Sequence, residues 1–208
     1  MLEVSAFVTR VAKPTALLET PPGTSALATR AGQAPFAASD DIRTAVRDLL
    51  RHGGFRPAGR SKPASEYLAA ALADDRFPRI NALVDTCNVV SLHSGLPISL
   101  VDVDKLEGAL AIRVAPPGTT YAFNPSGQVI DASGLLCLFD ARGPSGSPVK
   151  DAQRTKTGGD TRCTLSILWG TRALPGLAAR AARWYRELAL QIEGAAVEDV
   201  ALAEIPGG

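Results

Sequence analysis

The hydrophobic period of this chain changes once, near Pro97, and that change limits the architectures open to it. Upstream, apolar residues recur at helical spacing. Residues 41–52 read as one helix, with Ser39 and Asp40 available to cap it and Gly53 and Gly54 to end it. A second helix starts near Pro63 and carries Tyr67, Leu68, Ala71 and Leu72 on one stripe. A third spans 82–94, packs Leu83, Cys87, Val90 and Leu92 inward, and stops at Gly95. Downstream the pattern is one of short strands. Residues 109–114 form one, and 120–123 and 128–130 form a hairpin around Pro125, Ser126 and Gly127. The continuous apolar runs 135–139 and 163–169 read as central strands. The polar stretch 140–162 between them reads as a long loop, a length usually reserved for function or mobility. A last helix follows Pro175, with Leu177, Ala181, Trp184, Tyr185, Leu188 and Ile192 as its buried stripe and Arg180, Arg183 and Arg186 opposite. At the other end residues 2–11 alternate, with Val4, Ala6 and Val8 on one face of a strand. Pro14, Pro21, Pro22 and Gly23 then mark an irregular stretch. Helices, then clustered strands, then a helix predict an α+β fold rather than alternating βαβ units.

Residues 1–208 are enough for a single domain with a sizeable core, and 46% hydrophobic against 21% charged residues is a globular balance. Apolar runs are too short to span a bilayer, and Met1 to Arg10 lack the basic start and apolar core of a signal peptide. The expectation is a cytoplasmic protein without membrane contact. Cys87, Cys137 and Cys163 are far apart and form no CxxC pair, and His52 and His93 are the only histidines. Neither a disulfide framework nor a zinc site is expected, and inert buried cysteines are preferred over a Cys–His pair. No Walker loop, GxSxG elbow or HExxH helix occurs, so no cofactor is expected and no ligase chemistry with ATP. A net charge of +1 leaves any nucleic-acid contact to a local patch.

Three segments carry charge. Arg47, Arg51, Arg56, Arg60 and Lys62 lie close in sequence with Asp48 as the one acid among them, and are either a phosphate-binding patch or a solvated face. Lys150, Asp151, Arg154, Thr155 and Lys156 could grip a phosphate, or form an ordinary polar loop. Asp102, Asp104 and Glu107 around Lys105 offer carboxylates for a metal or for acid–base work, or a local turn.

A resemblance bears on these alternatives. Ile80, Asn81, Val84, Asp85 and Asn88, then Gly95 and Pro97, then Asp102, Asp104, Lys105 and Gly108 reproduce a helix, a turn and a following segment in order and spacing. This set resembles the B3/B4 domain of the phenylalanyl-tRNA synthetase β subunit, over roughly residues 55–171. Gly54 to Pro57 and Ser61 to Tyr67 look more like free-standing B3/B4 proteins than like the synthetase.

The resemblance implies a β-sandwich of unusual topology with flanking helices, and a pocket for the acceptor end of tRNA in which water removes a wrongly attached amino acid. A histidine and a glutamate matter in the synthetase domain. Ser99 and Lys156 stand at the corresponding places here, so recognition of a tyrosine hydroxyl by that carboxylate is not expected. Ser99, Lys156 and Asn88 are the candidates to orient water or supply donors. Arg56, Arg60, Lys62, Lys150, Asp151, Arg154 and Thr155 are the candidates for binding tRNA, with Lys150, Arg154 and Lys156 on phosphate and Asp151 on the amino group. A deacylase acting in trans, a non-catalytic tRNA-binding module and a small-metabolite or amino-acid binder are the three functions these residues leave open.

Overall fold

A computed structural model describes residues 1–203. The first strand, β1 (Leu2–Val11), leads through a short helix α1 (Pro22–Leu27) into α2 (Asp40–Arg51), α3 (Ala64–Ala73) and α4 (Ala82–Ser94). Six short strands follow: β2 (Ile98–Asp102), β3 (Ala111–Val114), β4 (Thr120–Ala122), β5 (Val129–Asp131), β6 (Leu136–Asp140) and β7 (Gly143–Gly146). The long β8 (Cys163–Thr171), α5 (Leu177–Ala189) and β9 (Ala195–Asp199) complete the chain. The fold is α+β.

The largest sheet is antiparallel with strand order β2-β8-β1-β9, so the first and last strands lie side by side in it. All nine residues of β8 are buried because both of its faces are covered. Ser166 donates to the hydroxyl of Tyr185 on α5, and a methyl on Gly170 would meet Ala178 at 2.7 Å, so this face lies tight against α5. Trp169, on the other face, donates its indole N–H to Ser99 at 2.9 Å, and Ser99 donates onward to the carbonyl of Ser147. That side packs on the second layer, in which β3-β6-β7 form one small sheet and the β4-β5 hairpin another.

Local chemistry explains the helices. Ser39 accepts from the amide of Ile42 and Asn81 from that of Val84, so each caps the helix it precedes. Gly95 ends α4 at φ 73°, where its amide reaches Ser91 and a side chain would strike Ile42.

On β1, Val4, Ala6 and Val8 share one face, with Ala6 buried, and the opposite face carries the buried Phe7, Thr9 and Val11. Phe7 stands in register with Ser166 and meets the ring of Tyr185 edge-on at 4.9 Å, which places it under α5. Three expectations need correction. The apolar stripe of α3 is only half-covered, with Tyr67 exposed, because it borders a cleft rather than the core. Ile192 is buried but lies past the end of α5, in the turn before β9. The stretch 140–162 is not an open loop. It contains β7 and a single turn at Gln153–Thr155, and buries Ser145, Ser147, Val149, Ala152, Thr155 and Thr161.

Candidate functional site

A cleft of about 380 Å³ opens where α3, α4, the β4-β5 hairpin and the segment after β7 meet. The helix α4 contributes Asn88 and Ser91, one turn apart on the same face. Their neighbours in the motif do structural work. Asp85 accepts from the amide of Ile80 at 2.7 Å and from the hydroxyl of Thr20 at 2.8 Å, which ties the start of α4 to the N-terminal segment. Ser91 donates to the carbonyl of Leu96 and closes the turn into β2. The side-chain amide of Asn88 makes no hydrogen bond among the described residues, so its donors and acceptor are open to the cleft.

Two lysines face Asn88 from the other wall. Lys156 sits after the turn at Gln153–Thr155, held by an isolated bridge to Val101, and donates to the carbonyl of Phe123 at 2.5 Å. Lys150 places its ammonium 3.8 Å from the centroid of the Phe123 ring, with the Tyr67 ring at 6.0 Å. Burial lowers the pKa of both amines; Arg60 and Lys156 lower that of Lys150 further, whereas Asp151 partly offsets the effect on Lys156. Leu68, Ile98 and Val149 complete the apolar wall.

The remaining expected residues divide sharply. Ser99 lies fully buried below the cleft, between Trp169 and Ser147. Asp151 accepts from the amides of Leu100 and Ser147 at 3.0 and 3.1 Å, and burial pushes its carboxyl up despite those bonds. Thr155 is buried and donates to the carbonyl of Ser145. Arg154 turns its guanidinium onto Asp140 in two bonds of 2.9 and 2.6 Å, and onto Gly143, Pro144 and Ser145. Burial alone would raise the Asp140 carboxyl; Arg154 and the amides of Glu107 and Arg142 outweigh it and hold it at about 2. The one segment that reads as a phosphate grip therefore brings two cations to the cleft and uses a third inside its own frame.

The basic run after residue 46 is also divided. Arg47 pairs with Glu66 through two bonds and Arg51 with Asp48, whereas Arg56, Arg60 and Lys62 form no ion pair among the described residues. Asp102 and Asp104 make a turn: Asp102 accepts from Asp104 and Thr161 and lies 3.5 Å from Lys105. Among the described residues no group of three or more His, Cys, Asp or Glu side chains is placed to hold a metal. Burial pushes the thiols of Cys87 and Cys137 up to about 12, which removes them as nucleophiles at neutral pH. His93 bonds the carbonyl of Leu27 and meets Trp184 edge-on. Phe123 and Tyr67 are the site residues that sequence reasoning missed. Only the placement of the 120–131 hairpin beside α3 reveals them.

The B3/4 domain model matches residues 57–167, which include every residue that lines the cleft, and the chain belongs to the B3/4 domain family. The phenylalanine–tRNA ligase beta subunit of Neisseria gonorrhoeae is 35% identical over 78 residues, 38% of this chain and 10% of that one. The same subunit of Leifsonia xyli is 26% identical over 136 residues, 62% of this chain and 16% of that one. A solved N-terminal fragment of the phenylalanyl-tRNA synthetase beta subunit from Pyrococcus horikoshii superposes with a TM-score of 0.48 at 13% identity, over 58% of this chain and 43% of the fragment. The alignments with the two bacterial subunits thus span 10% and 16% of their lengths. No helix among the described residues is long and apolar enough to cross a membrane.

Proposed function

We propose that this chain is a tRNA-binding protein that takes the acceptor end of tRNA in the cleft. The observation that carries the reading is that one cleft beside the helix of the family motif holds the ammonium groups of Lys150 and Lys156 together with the rings of Phe123 and Tyr67, against which Lys150 lies. A single-stranded RNA end presents phosphates and flat bases, and a basic groove with aromatic faces suits both. Arg60, Lys62 and Lys150 serve the phosphates, with Arg56 at the approach, and Tyr67 and Phe123 serve the bases. Similarity to a subunit of a tRNA ligase supports the choice of RNA.

Binding measured at two salt concentrations tests it. Three neutralised phosphates on a single strand predict a slope near about −2 in the logarithm of affinity against that of salt. Affinity indifferent to salt, or no binding at low salt, overturns the reading.

Hydrolysis of a wrongly attached amino acid is a second reading, favoured by the amide of Asn88, which has no partner among the described residues, and by the two remaining N–H groups of Lys156. Both are donors suited to an ester oxygen that becomes an oxyanion. Water adds to the ester carbonyl, the bond to the ribose oxygen breaks, and that oxygen takes up a proton. Asn88→Ala and Lys156→Ala slow release of the amino acid if this holds; equal rates exclude it.

A further inference from the structure

The cleft is electrostatically one-sided. Among the described residues its ionisable lining groups are Lys150, Lys156 and the phenol of Tyr67, and no carboxylate lines it. The acids around it are engaged elsewhere. Glu66 is bound by Arg47 at 2.6 Å, and both oxygens of Asp151 accept backbone amides behind the wall. Lys156 gives one N–H to Phe123, and two remain. Neither lysine has an acidic partner within ion-pair distance among the described residues, although both are half-buried against apolar walls. A cation in such a place is poorly solvated and unpaired, so an anion entering the cleft relieves a cost already present in the free protein.

This asymmetry bears on what the RNA end carries. Every aminoacyl ester brings a positive α-ammonium. A neutral side chain makes the guest positive overall, and a basic one makes it doubly so. A side chain with its own carboxylate makes it neutral and supplies the acceptor that Lys156 and Asn88 lack.

Resting on the acceptor-end reading above, we propose that the cleft selects acidic aminoacyl groups, aspartyl and glutamyl, over neutral and basic ones, with Lys156 as the residue that sets this choice. The side-chain carboxylate sits between the Lys156 ammonium and the Asn88 amide. Lys150 stays on the phosphate side, over Phe123.

The test uses the full chain and short acceptor-stem RNA helices whose 3′ ends carry amino acids through a non-hydrolysable amide, so that binding is read apart from chemistry. The series is glutamate, glutamine, aspartate, asparagine, lysine and the bare RNA. Glutamate and aspartate forms bind about tenfold tighter than their amide partners, and the lysine form binds weakest. In Lys156→Met the glutamate–glutamine difference falls to within about twofold, and Lys156→Glu reverses the order to favour lysine. Circular dichroism and thermal unfolding establish that both variants fold; the wild-type series decides the question even if they do not. Equal affinity for the glutamate and glutamine forms, with the bare RNA bound, overturns the selectivity and leaves the acceptor-end reading standing. Absence of binding to every RNA at low salt overturns both.

Discussion

Arg154 and Lys156 are two residues apart and do opposite things. Arg154 turns inward, makes a two-point contact with a fully buried Asp140 and bonds three further groups of its own loop. Lys156 turns to the cleft, and among the described residues its ammonium makes one hydrogen bond. The same division runs through the segment. Ser99, Asp151 and Thr155 are tied to the backbone of the frame, whereas Lys150 and Asn88 have no side-chain partner among the described residues except the aromatic faces near Lys150. A rigid frame with closed hydrogen bonding holds a small set of open groups in place, which is how a binding site keeps its geometry without a ligand. The frame residues should therefore control stability and the cleft residues recognition.

The strongest way to break this comparison is Arg154→Ala. It strands the Asp140 carboxylate in a buried site and should cost about 3–5 kcal/mol of stability, read from urea unfolding. Arg154→Lys should restore little of it, because an ammonium cannot make the two-point contact. A loss below about 1 kcal/mol would show that the frame does not depend on this pair.

Acid titration sharpens the same point. Asp140 has its pKa lowered from 3.8 to about 2. Its contribution is complete above the unfolded value and disappears as pH falls through the folded one, so about 2 kcal/mol should be lost between roughly pH 4 and pH 2. Unfolding free energies measured across that window in wild type and Arg154→Ala should differ in slope, with the variant flatter. Parallel curves would assign the acid sensitivity to other carboxylates.

Ser99→Ala is predicted to act on the frame alone. The buried indole N–H of Trp169 loses its acceptor, at a cost of about 1.5 kcal/mol, while RNA affinity at moderate salt stays at the wild-type value. A stable Ser99→Ala variant that loses RNA affinity would move Ser99 from the frame to the site.

The smallest effect on stability belongs to Arg56→Glu and Arg60→Glu. Both positions are exposed and form no ion pair among the described residues, so unfolding should shift by no more than about 0.5 kcal/mol. RNA binding should weaken several-fold with a shallower salt dependence. Charge reversal without effect on binding would confine recognition to the two cleft lysines.

Much of this division was hidden in the sequence for a specific reason. Arg47, Arg51 and Arg154 look like the other basic residues in the chain; their acids, Glu66, Asp48 and Asp140, show no pairing signal beyond the short i,i+3 spacing of Asp48 and Arg51. The segment 140–162 reads as an open loop because the residues it buries are mostly small or polar, with Val149 the one large aliphatic among them, and so show no apolar period. The short strand β9 carries half-exposed residues and pairs at the edge of the sheet, so it had no pattern to announce it.

Local chemistry alone determined a good part of the protein. The helix over Ala82–Ser94 follows from the Asn81 cap, the Gly95 stop and the apolar residues between, because capping and helical spacing act within a few residues. The same is true of α2 behind Ser39, the β4-β5 hairpin and the buried run of β8. Asn88 of the motif lies on the helix that forms one wall of the cleft. Tertiary structure decided which cations were left for a ligand, and brought Tyr67 and Phe123, 56 positions apart in the chain, to the same cleft. Ion pairs and cleft walls are made between segments distant in sequence, and no local propensity encodes which distant partner a side chain will meet.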